Sequence, residues 1–558
     1  MEAKRILIVG GVAGGATAAA HARRLSEEAK IIIFERGPYV SFANCGLPYF
    51  VGGEITAKDD LLVQNPQGLR SRFNLDVRIL SEVIRIDRAN KKLEVCDLKS
   101  QKNYWEPYDE LILSTGASPL KPPIPGIANP GHFTVRGIPD VEALNNWIDN
   151  QNARNAVVVG GGFIGLEMAE QLHRRGLQVT VTEALPQVMA PLDQEMAAWL
   201  HQELRRNGVS LHLGDPVVQF DGLRAGEEAH ASVVELKSGA RLPADLVVLG
   251  MGVRPETHLV KDAGLEIGEK GGIRVNDYLN TSDPHVWAIG DAIEVRDFVT
   301  REWVVIPLAG PANRQGRIVA ENIFGAFMKY PGTCGTSILR LFDQVAGCTG
   351  ANEKTLSKLR IPYDVVHLHP PAHATYYPGA SRIAMKIVFN PQDGKLFGAQ
   401  IVGTDGVDKR IDVLATALRA GLTVHDLEDL ELAYAPPFGS AKDPVNLAGM
   451  VAQHVVHKDI KTVQWHEIAT LDPEKSVLLD VRDEDEREQG YIPESIHISL
   501  PELRQRFSEL PRDKEIILYC QTGQRSYFAC CYLAQIGFKV KNLTGAYRTW
   551  KVSQNGIS

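Results

Sequence analysis

The chain has 558 residues, 44% hydrophobic and 23% charged, with a formal net charge of −8 and a sequence pI of about 6.1. That length implies about three or four domains rather than one core, and the mild acidity excludes the basic footprint of a nucleic-acid or membrane-surface binder. Seven irregularly spaced cysteines exclude a disulfide framework. No apolar run reaches the ~18 residues of a membrane span, and the opening apolar stretch is too short for a signal peptide, so cytoplasmic residence is the expectation.

The first predicted elements are a buried strand over 6–9, a glycine turn Gly10-Gly11-Val12-Ala13-Gly14-Gly15, a helix over 17–25 and a strand over 31–34 ending at Glu35. The segment 111–116, ending Thr115-Gly116, and the proline-rich 119–125 lead out of this unit. The same plan then recurs as a strand over 156–159, the turn Gly160-Gly161-Gly162-Phe163-Ile164-Gly165, a helix over 166–175 and a strand over 179–182 ending at Glu183. Two such units mean two nucleotide sites in an α/β chain with two Rossmann-like domains.

The second turn fits G-x-G-x-x-G in full, between a strand and a helix, with an acid about 20 residues on to accept ribose hydroxyl hydrogen bonds. A carboxylate there repels a 2′-phosphate, so NADH is expected over NADPH, which stays open as an alternative. In the first turn Val12 replaces the second glycine, and Glu35 takes the ribose position. The strand-ending pair Gly290-Asp291 supports a nucleotide site there, because a small residue lets backbone approach a ribityl chain while Asp291 accepts a hydroxyl hydrogen bond. Further on, 329–450 reads as mixed α+β, with a strand over 383–389 and helices around 408–420 and 441–456. A separate α/β unit follows from 463, with strands over 477–481 and 516–519.

These turns, with Ser41-Phe42-Ala43-Asn44-Cys45-Gly46-Leu47-Pro48-Tyr49, Gly250-Met251-Gly252 and Gly290-Asp291, resemble the flavoprotein pyridine nucleotide-disulfide oxidoreductases, and within them the coenzyme A disulfide reductase branch. The resemblance runs from residue 1 to about 450. It implies FAD, NADH and coenzyme A as cofactors, a homodimer, and Cys45 as the one redox cysteine. Many relatives carry a second cysteine a few residues on, whereas 46–53 contain none here. The implied division is an FAD domain over 1–150 and 276–328, an NAD domain over 151–275, a dimerisation domain over 329–450, a linker over 451–462 and a last domain over 463–558.

The resemblance assigns cofactor contacts to Gly10, Val12, Ala13, Gly14, Glu35, Arg36, Asn44, Thr115, Gly116, Gly290, Asp291, Pro307, Leu308 and Ala309 on the flavin side. On the nicotinamide side it assigns Gly160, Gly162, Phe163, Ile164, Gly165, Glu183 and Gly252. It implies CoA contacts at Thr17, His21, Arg24, Ser41, Asn44, Asn313 and Lys442, although Phe73 stands where close CoA reductases carry a lysine. Tyr376 or its neighbour Tyr377, together with Tyr434, is expected to reach the neighbouring subunit's site and assist a leaving thiolate.

The tail resembles a rhodanese domain. Cys520-Gln521-Thr522-Gly523-Gln524-Arg525 follows a strand and precedes a helix over 526–536, so backbone N–H groups converge on the sulfur. Arg525 is expected to join them in stabilising a thiolate or persulfide on Cys520. The loop is one residue shorter than that of cysteine phosphatases, which suits a sulfane sulfur. Cys96, Cys334, Cys348, Cys530 and Cys531 are expected to be buried packing, and no His/Cys cluster has metal-ligand spacing. The functional expectation is NADH-driven reduction of persulfide, polysulfide or CoA-linked sulfur, with CoA disulfide reduction and NADH oxidase or peroxidase activity as alternatives. The expected partners are small sulfur compounds, with no nucleic acid and no membrane.

Overall fold

The computed structural model describes residues 3–221 and 232–555. It divides into two compact bodies, one from 1–184 and 215–335 and the other from 185–214 and 336–558. Among the described residues no helix is long and apolar enough to cross a membrane.

In the first body five parallel strands run Val286–Ala288, Glu110–Leu113, Arg5–Val9, Lys30–Glu35 and Asp76–Ile79 in spatial order. Ile6, Leu7 and Ile8 are fully buried, as a central strand covered on both faces requires. A second parallel set runs Gln178–Glu183, Asn155–Val159, Leu246–Leu249 and His132–Phe133. The helices that follow the two turns, Ala13–Leu25 and Phe163–Arg174, start earlier than the hydrophobic pattern suggested. Glycine is the reason. A Cβ on Gly15 would lie 1.9 Å from the Gly10 carbonyl oxygen, and one on Gly165 would lie 1.9 Å from that of Gly160. Bare Cα atoms let each helix begin inside its turn, hard against its strand.

The second body contains a five-stranded antiparallel sheet in the order Ser337–Leu341, Gln344–Gly350, Leu396–Gly403, Ala384–Phe389, Asp364–Leu368. It also contains a five-stranded parallel sheet in the order Thr462–Val463, Val540–Leu543, Glu515–Tyr519, Ser476–Asp480, Ile496–His497. The helix Pro444–Val456 occupies the first half of the span expected as a linker, because Asp443 caps it and its apolar face is buried. The Asp364–Leu368 strand lies at the edge of its sheet, and the C-terminal unit covers it. His367 donates its N–H to Thr544 Oγ1 (2.7 Å), and its carbonyl accepts the Gly545 N–H (3.1 Å).

At the centre of this body Lys386 is fully buried, with Nζ 2.8 Å from Asp193, 2.5 Å from Glu195 and in contact with Glu353. Glu195 also bonds His367 Nε2 at 2.9 Å, and Gln400 Nε2 donates to Asp193 at 2.7 Å. Burial opposes the Glu195 charge, but Lys386 and His367 outweigh it and hold the carboxyl below its usual range. Asp193, Glu195 and Glu353 are the acidic trio whose oxygens lie close enough to share a cation, and the cation they surround is an ammonium. The network ties the 185–214 segment to the antiparallel sheet.

Removing the ammonium alone leaves three carboxylates desolvated together. Lys386→Met should cost about 3–5 kcal/mol and lower the thermal unfolding midpoint of the full chain. Adding Glu195→Gln should recover part of that loss, because one stranded charge is then gone.

Candidate functional site

The first body holds a cavity of about 610 Å³ at the carboxyl ends of the first parallel sheet. Its walls include Gly10, Val12, Ala13, Gly14, Glu35, Arg36, Asn44, Thr115, Gly116, Gly290 and Asp291, drawn together from five separate stretches of chain. The turn is fixed from both sides. Gly10 has φ +95°, where a Cβ would strike the Ser114 carbonyl oxygen at 2.1 Å. Glu35 accepts the N–H of Gly11 (3.0 Å) and of Gly37 (2.8 Å), which pins its carboxylate at the cavity edge with lone pairs to spare. Asp291 sits in the short turn Gly290–Ala292, and burial pushes its carboxyl up to about 6. A cavity lined by a glycine turn suited to phosphate, the Glu35 carboxylate and the half-buried Asp291 carboxyl fits FAD.

Pro307, Leu308 and Ala309 are not part of this lining. They lead into the helix Ala309–Ile323, and Ala312, one turn later, is what reaches the cavity. Sequence reasoning also missed Arg136 and Glu256. Antiparallel pairing of Val253–Pro255 with Ala117–Pro119 carries Glu256 to the cavity wall, where it meets the Ser118 hydroxyl, Arg36 (3.3 Å) and Arg136 (3.6 Å). Burial works against the Glu256 charge, but these partners keep its carboxyl below the usual range. No local spacing announces a residue delivered by a long-range strand pair.

The second turn repeats the first. Glu183 accepts the Gly161 N–H at 2.6 Å, and Gly160 (φ +108°) lies so near Gly250 that a Cβ would be 2.3 Å from its carbonyl oxygen. Nothing lies within 4 Å of where a Gly162 side chain would begin, so that face is open to a phosphate. Phe163 is half-buried, Ile164 is exposed beside it, and Gly252 (φ +95°) precedes the strand Val253–Pro255 with its carbonyl on the Leu120 N–H.

Cys45 lies in the turn Asn44–Gly46, which runs directly into the helix Leu47–Val51. That helix is stapled to the helix after the second glycine turn. Tyr49 donates to Glu167 (3.3 Å), and Arg175 donates to the Val51 carbonyl (3.1 Å); just past the helix, Gln171 donates to Glu54 (2.9 Å). Cys45 is exposed, yet desolvation of its sulfur, and then the charges of Glu167 and Asp291, raise the thiol above its ordinary 9.0. No disulfide joins any of the cysteines among the described residues.

Thr17, His21 and Arg24 share one face of the first helix. Thr17 donates to Asn313 (2.6 Å), His21 bonds Glu321 (2.8 Å), and Arg24 reaches His21 Nδ1 (2.9 Å). Ser41 holds a left-handed φ of +49°, fixed by its N–H on the Gly11 carbonyl (2.8 Å). Lys442, Tyr376 and Tyr434 belong to the other body and are exposed. Tyr376 Oη and Tyr434 Oη lie 2.7 Å apart, whereas the Tyr377 ring packs edge-on to His373. His373 is buried.

In the C-terminal unit Cys520 is buried at the end of the strand Glu515–Tyr519. Its sulfur receives the Gly523 N–H at 3.2 Å and the Ser526 hydroxyl at 3.6 Å, in the mouth of the helix Gln524–Gln535. Arg525 interacts with the Cys520 charge, and its guanidinium also bonds Asp483 (3.0 Å) and Glu486 (2.6 Å). Of the cysteines read as packing, Cys348 and Cys530 are buried, whereas Cys96, Cys334 and Cys531 are half-buried.

Residues 4–316 match the family described as pyridine nucleotide-disulphide oxidoreductase, 339–444 match its dimerisation domain, and 466–553 match the rhodanese-like domain. A solved structure of reduced Bacillus anthracis CoADR-RHD is 49% identical, with a TM-score of 0.96 over 99% of this chain and 98% of that one. A NAD-dependent persulfide reductase from A. fulgidus is 37% identical, with a TM-score of 0.91 over 98% of this chain and 100% of its own. The coenzyme A disulfide reductase of Staphylococcus haemolyticus is 34% identical over 81% of this chain and 99% of its own.

Iodoacetamide labelling of Cys45, followed by mass spectrometry across pH, should rise with a midpoint above pH 9. Glu167→Gln should move that midpoint down without restoring an ordinary thiol, because desolvation is the larger cause.

Proposed function

Because the chain belongs to the pyridine nucleotide-disulphide oxidoreductase family, we propose that it uses NADH to reduce persulfide, polysulfide or CoA-linked sulfur through Cys45, with the rhodanese domain handling sulfane sulfur. The observation that carries this reading is a free, exposed cysteine beside the dinucleotide cavity with no cysteine following it in 46–53. Such a thiol has no internal partner and must form its disulfide with a substrate.

The Cys45 thiolate attacks the inner sulfur of a persulfide R–S–SH. A Cys45–S–S–R bond forms, the old S–S bond breaks, and hydrosulfide leaves with that bond's electron pair. Bound FAD supplies the two-electron carrier through which NADH returns this mixed disulfide to two thiols. Glu183 accepts the ribose hydroxyls of NADH, and Gly162 leaves room for its pyrophosphate. In a homodimer, the hydrogen-bonded Tyr376–Tyr434 pair offers a phenolic proton to the thiolate leaving the partner subunit's site. Thr17, His21, Arg24 and Asn313, gathered together in the first body, suit the phosphates and adenine ribose of CoA. That same cluster supports CoA disulfide as the competing substrate.

Anaerobic assays should show sulfide release from CoA persulfide that depends on NADH, and Cys45→Ser should lower it by at least about 10²-fold, as loss of a nucleophile does. Full activity in that variant would overturn the assignment. Faster turnover of CoA disulfide than of CoA persulfide would make disulfide reduction the main activity, and NADH consumption in air without any sulfur substrate would favour an oxidase.

A further inference from the structure

The Cys520 loop carries one cationic side chain, Arg525, which interacts with the Cys520 charge but whose N–H donors are taken by two carboxylates. Its guanidinium lies 3.0 Å from Asp483 and 2.6 Å from Glu486. Arg525 and Glu486 are both largely covered, at 30% and 27% side-chain exposure, so water screens this pair less than a surface one. The acidic turn is itself held in place, because Glu486 accepts the Asp483 N–H (3.2 Å) and its carbonyl accepts Arg482 Nη1 (3.2 Å).

Three other cations packed around the loop are also committed. Arg482 is bidentate on Asp480 (2.7 Å at the nearest contact), and it also donates to the Gly490 carbonyl and to Gln521 Oε1. Arg487 reaches Asp480 at 3.3 Å, and His497 reaches Glu484 at 3.1 Å. Arg548, whose backbone N–H bonds the Gln521 carbonyl, sets its guanidinium 5.1 Å from the Trp199 ring. The groups that hydrogen-bond the sulfur are neutral, the Gly523 N–H and the Ser526 hydroxyl.

We propose that Asp483 and Glu486 determine the sulfur donor of the rhodanese site by clamping Arg525, so that Cys520 takes sulfur from persulfides and polysulfides and discriminates against thiosulfate. The inference rests on the reading of Cys520 as a sulfane-sulfur carrier. Transfer from a persulfide is Cys520–S⁻ + R–S–SH → Cys520–S–SH + R–S⁻. The thiolate attacks the outer sulfur, the S–S bond breaks, and one thiolate leaves. Two N–H or O–H dipoles suffice for that charge. Transfer from thiosulfate, Cys520–S⁻ + S–SO₃²⁻ → Cys520–S–S⁻ + SO₃²⁻, brings a dianion to the loop and releases another. A free guanidinium would bind the sulfonate end in a bidentate fashion, but here two carboxylates hold that fork and repel the approaching oxygens.

The test uses the full-length flavin-loaded protein, with thiosulfate and glutathione persulfide as donors and cyanide as acceptor, read as thiocyanate formed and as persulfide mass on Cys520. The wild type should favour glutathione persulfide in kcat/KM by at least about tenfold. Glu486→Gln and Asp483→Asn/Glu486→Gln should raise kcat/KM for thiosulfate by about tenfold, the worth of roughly 1.4 kcal/mol, and change the persulfide value less than about twofold. A merely structural role would lower both donors together. Equal use of the two donors by the wild type overturns the inference whether or not the variants fold, as does an unchanged donor ratio in Glu486→Gln. Failure of Cys520 to acquire sulfur from either donor would instead overturn the underlying reading of that cysteine.

Discussion

Close approach of backbone to backbone at two glycine turns is the constraint on which the first body depends. At Gly15 and Gly165 a helix backbone comes so near the preceding turn that a single methyl group would overlap a carbonyl oxygen. This contact sets where each helix begins and aims its first N–H groups at the carboxyl edge of the sheet. A carboxylate from the next strand then closes each turn, Glu35 on Gly11 and Glu183 on Gly161. The redox cysteine inherits its position from the same arrangement, because the short helix after Cys45 is bonded to the helix that starts at the second turn. The phosphate turn of one nucleotide site and the thiol beside the other are thus parts of one hydrogen-bonded unit.

A second theme is that three buried or half-buried cations come with their counter-charges. Lys386 is surrounded by Asp193, Glu195 and Glu353, Arg482 lies against Asp480, and Arg525 lies against Asp483 and Glu486. A desolvated charge is tolerated only when paired, and each pairing removes a cation that would otherwise be available to a ligand. The consequence differs by place. At Lys386 the pairing ties a connecting segment to the antiparallel sheet. At Arg525 it leaves a sulfur-binding loop whose donors are neutral dipoles.

Some of this is visible in the linear chain. Glycine spacing, an acid at the end of the following strand and continuous apolar strands are local signals, because they depend on φ values and on contacts a few residues apart. They located the two turns, Glu35, Glu183 and the Cys520 loop. The helix starts at Ala13 and Phe163 were missed because glycine and alanine carry no hydrophobic period. Cys45 stood out by its solitude, a property of the sequence alone. Its raised thiol did not, because desolvation and the charges of Glu167 and Asp291 act through space across more than a hundred residues of chain.

The sequence by itself therefore determined the elements, the two dinucleotide turns and the identity of the reactive sulfurs, since each is encoded within a short window of residue types. Tertiary structure decided the rest. It paired Tyr376 rather than Tyr377 with Tyr434, brought Glu256 and Arg136 to the cavity, and set two carboxylates on Arg525. Each of these depends on where distant strands and helices place a side chain among competing partners, and electrostatic competition is settled by distance in space rather than by separation along the chain.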